Sequence, residues 1–465
     1  MTPHSLIRRA RLRIPYATPA LLALAMLLAA CGGGGGGTKA SDVAGAASQP
    51  TTASTPSGWA TPRTLPVTPV AADFKVQDPR FDALPGARAI FGTYDGGGYQ
   101  IEVPDNWNGS VVYFAHGFRG NGAELTVSPP PLRQYLVSNG YAWAASSYSA
   151  NGYRPGIAAR DTLALRDVVA EKIGAPKRSY LYGQSMGGNV ATVSLEQYPT
   201  AYDGALAECG ALSGQGIVDY FFSWGALGGY FSGTDLTSAT TDASLMTSIM
   251  RTKVAPALGV AESLTPKGEA FADAIENLTG GPRPYFREGF TANYLFNFVL
   301  LVNAVAVPGA SNAVAQNADT RYAVSDGASV TTEQLNREIP RVAANPRFQD
   351  REQYPEFGPP SGKIERPLLT IHGTGDLFVP ISLEQQYRRA VDAAGAGGYL
   401  VQRAIRRPSH CAFTDAERQR AFDDLVSWVE RGEKPAGEDL LGDLTNAGRP
   451  FTLPLAEDDP GGITP

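Results

Sequence analysis

A serine set between glycines, in Gly183-Gln184-Ser185-Met186-Gly187, and four histidines, His4, His116, His372 and His410, are the residues of this 465-residue chain whose types and spacing could do nucleophilic chemistry. A serine hydroxyl is a weak nucleophile near neutral pH, so it needs an imidazole to take its proton and a carboxylate to orient that imidazole. The glycines suit a sharp strand-to-helix corner, where a Cβ on either flank would strike the neighbouring backbone. Ser185 is therefore the expected nucleophile, and the Met186 amide, at the start of the following helix, would face an oxyanion. In a chain with 52 glycines the pattern alone can arise by chance. Its context selects it: the apolar Tyr180-Leu181-Tyr182 precedes it, and a helical run from Asn189 to Tyr198, ended by Pro199, follows.

The elements that must carry these residues are legible as periodicities. Ala87 to Tyr94 and Gly98 to Pro104 alternate and read as an antiparallel pair. Val111 to Ala115 is an unbroken apolar run, suited to a strand buried on both faces, and it ends in His116-Gly117-Phe118. Then come a helix from Leu132 to Ser138, a strand from Tyr141 to Ala145, a helix from Ile157 to Lys172, the strand into Ser185, and a strand from Gly204 to Cys209. Such alternation predicts a parallel sheet with helices on both faces. From Gly210 to about Glu365 it stops, and aromatic clusters appear at Tyr220 to Trp224 and Tyr294 to Phe298. So long a run must have structure of its own. It is expected to be a mainly helical lid, its aromatics mostly lid core and some of them pocket wall. Alternation resumes at Pro367 to Ile371, followed by Gly373-Thr374-Gly375-Asp376, a helix from Leu383 to Ala393, a strand from Tyr399 to Ile405, the loop holding His410, and a helix from Asp415 to Glu430.

Ser185, Asp376 and His410, each in a loop after an expected parallel strand, stand in the order that resembles the α/β-hydrolases. The resemblance covers roughly residues 87 to 431 and rests on the His-Gly loop, the serine corner, the acid loop and the late histidine. It implies an α/β fold, a mostly parallel doubly wound sheet with the lid inserted between the later strands. It also implies roles: Ser185 attacks, His410 moves the proton, and Asp376 holds the Nδ1 tautomer without taking the proton itself. The oxyanion would lie between the amides of Met186 and Phe118, the latter to within one residue. His116 is read as orienting its loop, and His372 as packing.

Residues 1–31 carry Arg8, Arg9, Arg11 and Arg13, then an apolar run from Ala20 to Ala30 and Leu28-Ala29-Ala30-Cys31. This reads as an export signal. Its end resembles the bacterial lipobox, which implies acylation of Cys31 and, with Gly32 following, anchorage at the outer membrane. Residues 32–72, rich in Gly, Ser, Thr, Ala and Pro, read as a flexible tether. The core is expected over 73–210 and 366–431, the lid over 211–365, and a surface tail over 432–465. Of the remaining cysteines, Cys209 and Cys411 fall at one sheet edge, as a disulfide or as two separate thiols. A bond there is reminiscent of the tannase and feruloyl-esterase family, in which a cysteine beside the serine bonds one beside the histidine. This chain has Gln184 before the serine instead.

A net charge of -6 argues against a nucleic-acid partner. No metal-ligand cluster or nucleotide-binding loop is evident, so no cofactor or metal is expected. The expected activity is hydrolysis of carboxylic esters with a hydrophobic or aromatic group, on a small-molecule or polymeric substrate. A peptidase of the prolyl-oligopeptidase kind and a catalytically silent ligand-binding surface lipoprotein are the alternatives.

Overall fold

The computed structural model describes residues 59–60, 63–64, 73–236, 243–298, 314–350 and 352–454. These belong to one compact unit, Thr52–Pro465. The export signal, Cys31 and most of the tether lie outside the described residues.

Eight strands form the central sheet: β1 (Ala87–Tyr94), β2 (Gly97–Pro104), β3 (Ser110–Ala115), β4 (Ala142–Ser146), β5 (Arg178–Gln184), β6 (Gly204–Glu208), β7 (Leu368–Gly373) and β8 (Leu400–Ile405). Their spatial order is β1-β2-β4-β3-β5-β6-β7-β8. From β4 to β8 all neighbours are parallel, while β2 pairs antiparallel with both β1 and β4. Strands β2 to β8 are buried along nearly their whole length, which is why they read as apolar runs rather than alternating ones.

Helices cover both faces. On one side α2 (Pro155–Ile173), α3 (Met186–Gln197) and α7 (Ser382–Ala393) supply Leu165, Val169, Val190, Leu383 and Tyr387 to the larger apolar cluster. On the other, α1 (Arg133–Ser138) and α8 (Asp415–Arg431) pack Leu136, Phe422 and Leu425 under the sheet. The sheet is therefore doubly wound, as the alternation predicts.

The insertion after β6 shares the larger cluster with the sheet. Its main helix α4 (Gly214–Ser232) is buried nearly all round, which explains its dense aromatics. Helix α5 (Pro266–Leu278) and helix α6 (Phe286–Asn293) complete an aromatic nucleus in which Trp224 meets Phe271, Phe290 and Phe298. Among the described residues the lid is mainly helical up to Asn293, interrupted by a strand pair at Gly259–Val260 and Ser263–Leu264, and from 314 to 365 its helical segments are Thr332–Glu338 and a 3-10 turn at Pro346–Gln349.

Two boundaries differ from the sequence reading. The tether does not run free to residue 72: Arg63–Thr64 pairs in parallel with Val342–Ala343, and the Trp59 ring lies 3.9 Å from the Arg341 guanidinium. Trp59 is the large aromatic in an otherwise small-residue stretch, and a guanidinium over its face is favourable. The tail after Gly432 is not merely surface. Leu440, Leu444 and Ala447 are buried against Ile381 and Ala404, and the Ala404 amide donates to Glu438 Oε2 at 3.0 Å. The cause is the edge position of β8, whose outward backbone groups need partners. The tail supplies them, with Glu438 N donating to Gln402 O at 2.8 Å.

Candidate active site

The C-terminal ends of β3, β5, β6, β7 and β8 converge, which is where open parallel sheets place their sites. Strand β5 ends at Gln184, and Ser185 turns the chain into α3 with φ 58° and ψ -118°, a conformation few non-glycine residues adopt. The flanking glycines are obligatory for space. A Cβ at Gly183 would lie 2.1 Å from Gly187 O, and one at Gly187 would lie 1.9 Å from Ala115 O. The corner is pinned by Ser185 N donating to Glu208 O at 3.0 Å.

Ser185 Oγ lies 2.8 Å from His410 Nε2, and His410 Nδ1 lies 2.6 Å from Asp376 Oδ2. Because a carboxylate can only accept, the Asp376 contact keeps the ring proton on Nδ1 and leaves Nε2 to accept from the serine hydroxyl. Asp376 is fully buried, and its other oxygen accepts from the amides of Phe378 and Val379 at 3.0 and 2.9 Å. Three residues separated by up to 225 positions thus form one hydrogen-bonded line.

Met186 is the first residue of α3, so its amide has no acceptor within the helix. Gly117 lies against the serine: a Cβ there would stand 3.0 Å from Ser185 Cβ and 3.4 Å from Oγ. Phe118, half-buried, follows it on the same loop. His116 stacks on Tyr148 at 4.0 Å, its Nδ1 lies 2.7 Å from Gly117 O, and the Tyr148 hydroxyl donates to His116 O at 3.1 Å. Burial first, and then the charge of Arg119, lower its pKa to about 3, so the ring is neutral and shapes this loop.

Cys209 directly follows β6 and Cys411 directly follows His410; the two are bonded across 5.2 Å between their Cα atoms. Cys209, His410 and Cys411 bring three potential ligand atoms within 4.8 Å, but the disulfide removes the thiolates a metal would need. Beside the bond lies an ion pair that no motif announces. Arg418 of α8 donates to Glu208 Oε2 at 2.9 Å, to Cys411 O at 2.9 Å and to Phe413 O at 2.6 Å. Glu208, fully buried, also accepts from Tyr182 and from Gln184. Gln184 therefore ties the elbow to β6 by a hydrogen bond. The one available signal was Glu208 itself, a charge at the end of an apolar strand.

The insertion grips the acid loop. Arg283 Nε donates to Thr374 O at 2.8 Å, and Asn297 Nδ2 and the Tyr220 hydroxyl donate to Leu377 O at 2.8 and 2.6 Å. Helix α6 touches the loop backbone to backbone: a Cβ at Gly289 would lie 1.8 Å from Gly375 O. Phe378, two residues after the acid, sets its ring edge-on to His410 at 4.7 Å and also meets Phe221 and Phe296 of the insertion. An apolar wall thus borders the imidazole. A cavity of about 270 Å³ bounded by Arg154, Tyr354 and Glu356 contains none of these groups.

No family model matches the chain. An o-phthalyl amidase of Xanthobacter agilis is 22% identical over 409 residues, covering 74% of this chain and 87% of that protein. Among solved structures, feruloyl esterase B from Aspergillus oryzae is similar with a TM-score of 0.45 and 14% identity, covering 74% of this chain and 80% of that one. The acylaminoacyl peptidase of Pyrococcus horikoshii has a TM-score of 0.38 and 13% identity, covering 76% of this chain and 43% of that one. Strand order, the strained serine corner and the loops that meet there make the fold of this chain that of the α/β-hydrolases.

Proposed function

We propose that the chain is a serine hydrolase that cleaves carboxylic esters through an acyl-enzyme, with Ser185, His410 and Asp376 as the catalytic groups. The observation that carries this reading is the continuous line from Ser185 Oγ through His410 to Asp376. Ser185 Oγ attacks the carbonyl carbon while its proton passes to His410 Nε2. Asp376 stabilises the imidazolium, and the amides of Met186 and Phe118 hold the oxyanion, each donor worth about 3 kcal/mol. Collapse breaks the bond to the leaving oxygen, which departs with the His410 proton. Water then attacks the acyl carbon, His410 takes a proton again, and release of the acid returns it to Ser185.

The aromatic wall of Phe378, Phe221 and Phe296 supports an apolar or aromatic group on the substrate. Amide cleavage is the second reading, and the similarity to an o-phthalyl amidase favours it. Both reactions share the acyl-enzyme and differ in the leaving atom. The export signal and Cys31 support a place in the bacterial cell envelope, lipid-anchored at the outer membrane.

Hydrolysis of p-nitrophenyl esters of increasing chain length and of aryl amides, with Ser185→Ala as control, tests the proposal. Ester turnover abolished in the variant is the expected result. Turnover of amides alone favours the amidase or peptidase reading. A folded protein that turns over neither, and that a fluorophosphonate fails to label, favours the reading as a catalytically silent ligand-binding surface lipoprotein.

A further inference from the structure

Behind the acid of this line lies a second buried acid-base pair that the proposed reaction does not use. His372, on β7, and Glu384, on α7, are both fully buried. His372 Nε2 lies 2.8 Å from Val379 O, so that nitrogen must carry a hydrogen to donate. The ring's Nδ1 faces Glu384 Oε1 at 3.4 Å, and neither atom has another hydrogen-bond partner among the described residues. Two lone pairs facing each other in a dry interior would repel, so a proton lies between them. The second Glu384 oxygen accepts from Thr370 Oγ1 at 2.7 Å and from Gln402 Nε2 at 2.5 Å, two donors that favour the carboxylate. That places the proton on the ring.

Burial by itself lowers the pKa of His372. The hydrogen bond and charge of Glu384, then the charge of Asp376 and the Val379 carbonyl, outweigh it and raise the pKa overall. His372 Nε2 is 4.0 Å from Asp376 Oδ2, the same oxygen that His410 Nδ1 approaches. The acid thus stands between two imidazoles. From the insertion, Arg283 adds a further positive charge near Asp376, and burial keeps the Tyr220 phenol neutral.

We propose that His372, kept as an imidazolium by Glu384, is a positioning residue for the active site: it closes the acid loop and sets a second positive charge against the Asp376 oxygen that His410 approaches. Closure follows from Val379, whose amide holds Asp376 Oδ1 and whose carbonyl holds His372. The electrostatic effect follows from sign. A cation beside Asp376 attracts its carboxylate and, as a like charge, disfavours the His410 imidazolium.

The kinetic test rests on the serine-hydrolase reading: kcat/KM for a p-nitrophenyl ester is measured against pH for the full chain, His372→Gln and Glu384→Gln. In Glu384→Gln the buried ring loses its counter-charge and becomes neutral, so both variants remove the cation. The expected result is an acidic limb displaced upward by about one pH unit in each, with kcat lowered more than KM is changed. A limb that stays in place in folded variants overturns the proposal. Where a variant does not fold, nitrogen-15 NMR of the histidine rings in the wild-type chain decides. Both His372 nitrogens protonated at pH 8 supports the charged pair, and a neutral ring overturns it. The spectrum needs no turnover, so an inert protein with a charged His372 would refute the hydrolase reading and leave the pair standing.

Discussion

Gly117 shows how narrowly the serine is confined. Its missing Cβ leaves room for the Ser185 side chain, and Gly117→Ala would press a methyl to within 3.0 Å of Ser185 Cβ. The contact can be relieved by a shift of a few tenths of an ångström, so the fold survives. On the proposed mechanism Ser185 Oγ then moves relative to His410 Nε2, and kcat is expected to fall by about tenfold or more with the melting temperature little changed. Paired activity and thermal-melt measurements check this; full activity would mean that the corner tolerates the shift. Gly187→Ala is a different case, because its Cβ would meet a carbonyl oxygen at 1.9 Å on the neighbouring strand. That variant is expected to lose folding as well as activity, which soluble yield and circular dichroism would report.

Between elements, the site depends on two devices that join distant segments. The Cys209–Cys411 bond and the Arg418–Glu208 pair fasten the His410 loop to β6. Arg418→Met leaves a buried carboxylate uncompensated and is expected to cost about 3 to 5 kcal/mol of unfolding free energy. Replacing both cysteines by serine removes a closure of 202 residues and is expected to cost about 5 kcal/mol. Chemical denaturation measures both, and either variant with wild-type stability would show that the loop is held by other contacts. The second device is the grip of the insertion on the acid loop through Arg283, Tyr220 and Asn297. Asn297→Leu is expected to lower kcat more than it raises KM, because it loosens the loop that holds Asp376 while leaving the Phe378 wall in place. An effect confined to KM would instead place Asn297 in substrate binding.

For the whole molecule, the pH dependence of stability has a named source away from the site. Glu356 is buried against the start of α2, and burial raises its pKa to about 7 despite the Gly156 amide and the charge of Arg154. An acid whose pKa is raised on folding stabilises the fold below its unfolded value, near 4.5, and loses that contribution as pH rises through about 7. The loss is on the order of 3 kcal/mol. Glu356→Gln is therefore expected to match the wild type at pH 5 and to melt at a higher temperature at pH 8.5. Thermal melts at both pH values check this, and a variant less stable than the wild type at pH 8.5 would show that the ionised Glu356 is compensated.

The amino-acid sequence by itself determined the period-bearing parts of this protein. The apolar runs of β3, β5 and β7, the glycines around Ser185 and the chain order of Ser185, Asp376 and His410 are local patterns, and local sterics and burial act on them directly. Strand and helix bounds read from the sequence agree with the structure to within three residues. Tertiary structure alone decided what depends on pairs far apart in the chain. Arg418 meets Glu208 across 210 residues, and Arg283 meets the Thr374 carbonyl across 91. A lone arginine carries no periodicity that names its partner. The tail was misread for the same reason: Leu440 and Leu444 look like isolated apolar residues until β8 becomes an edge strand that must be covered. His372 reads as packing in sequence and as one half of a charged pair in three dimensions, because only the fold brings Glu384 across to face it.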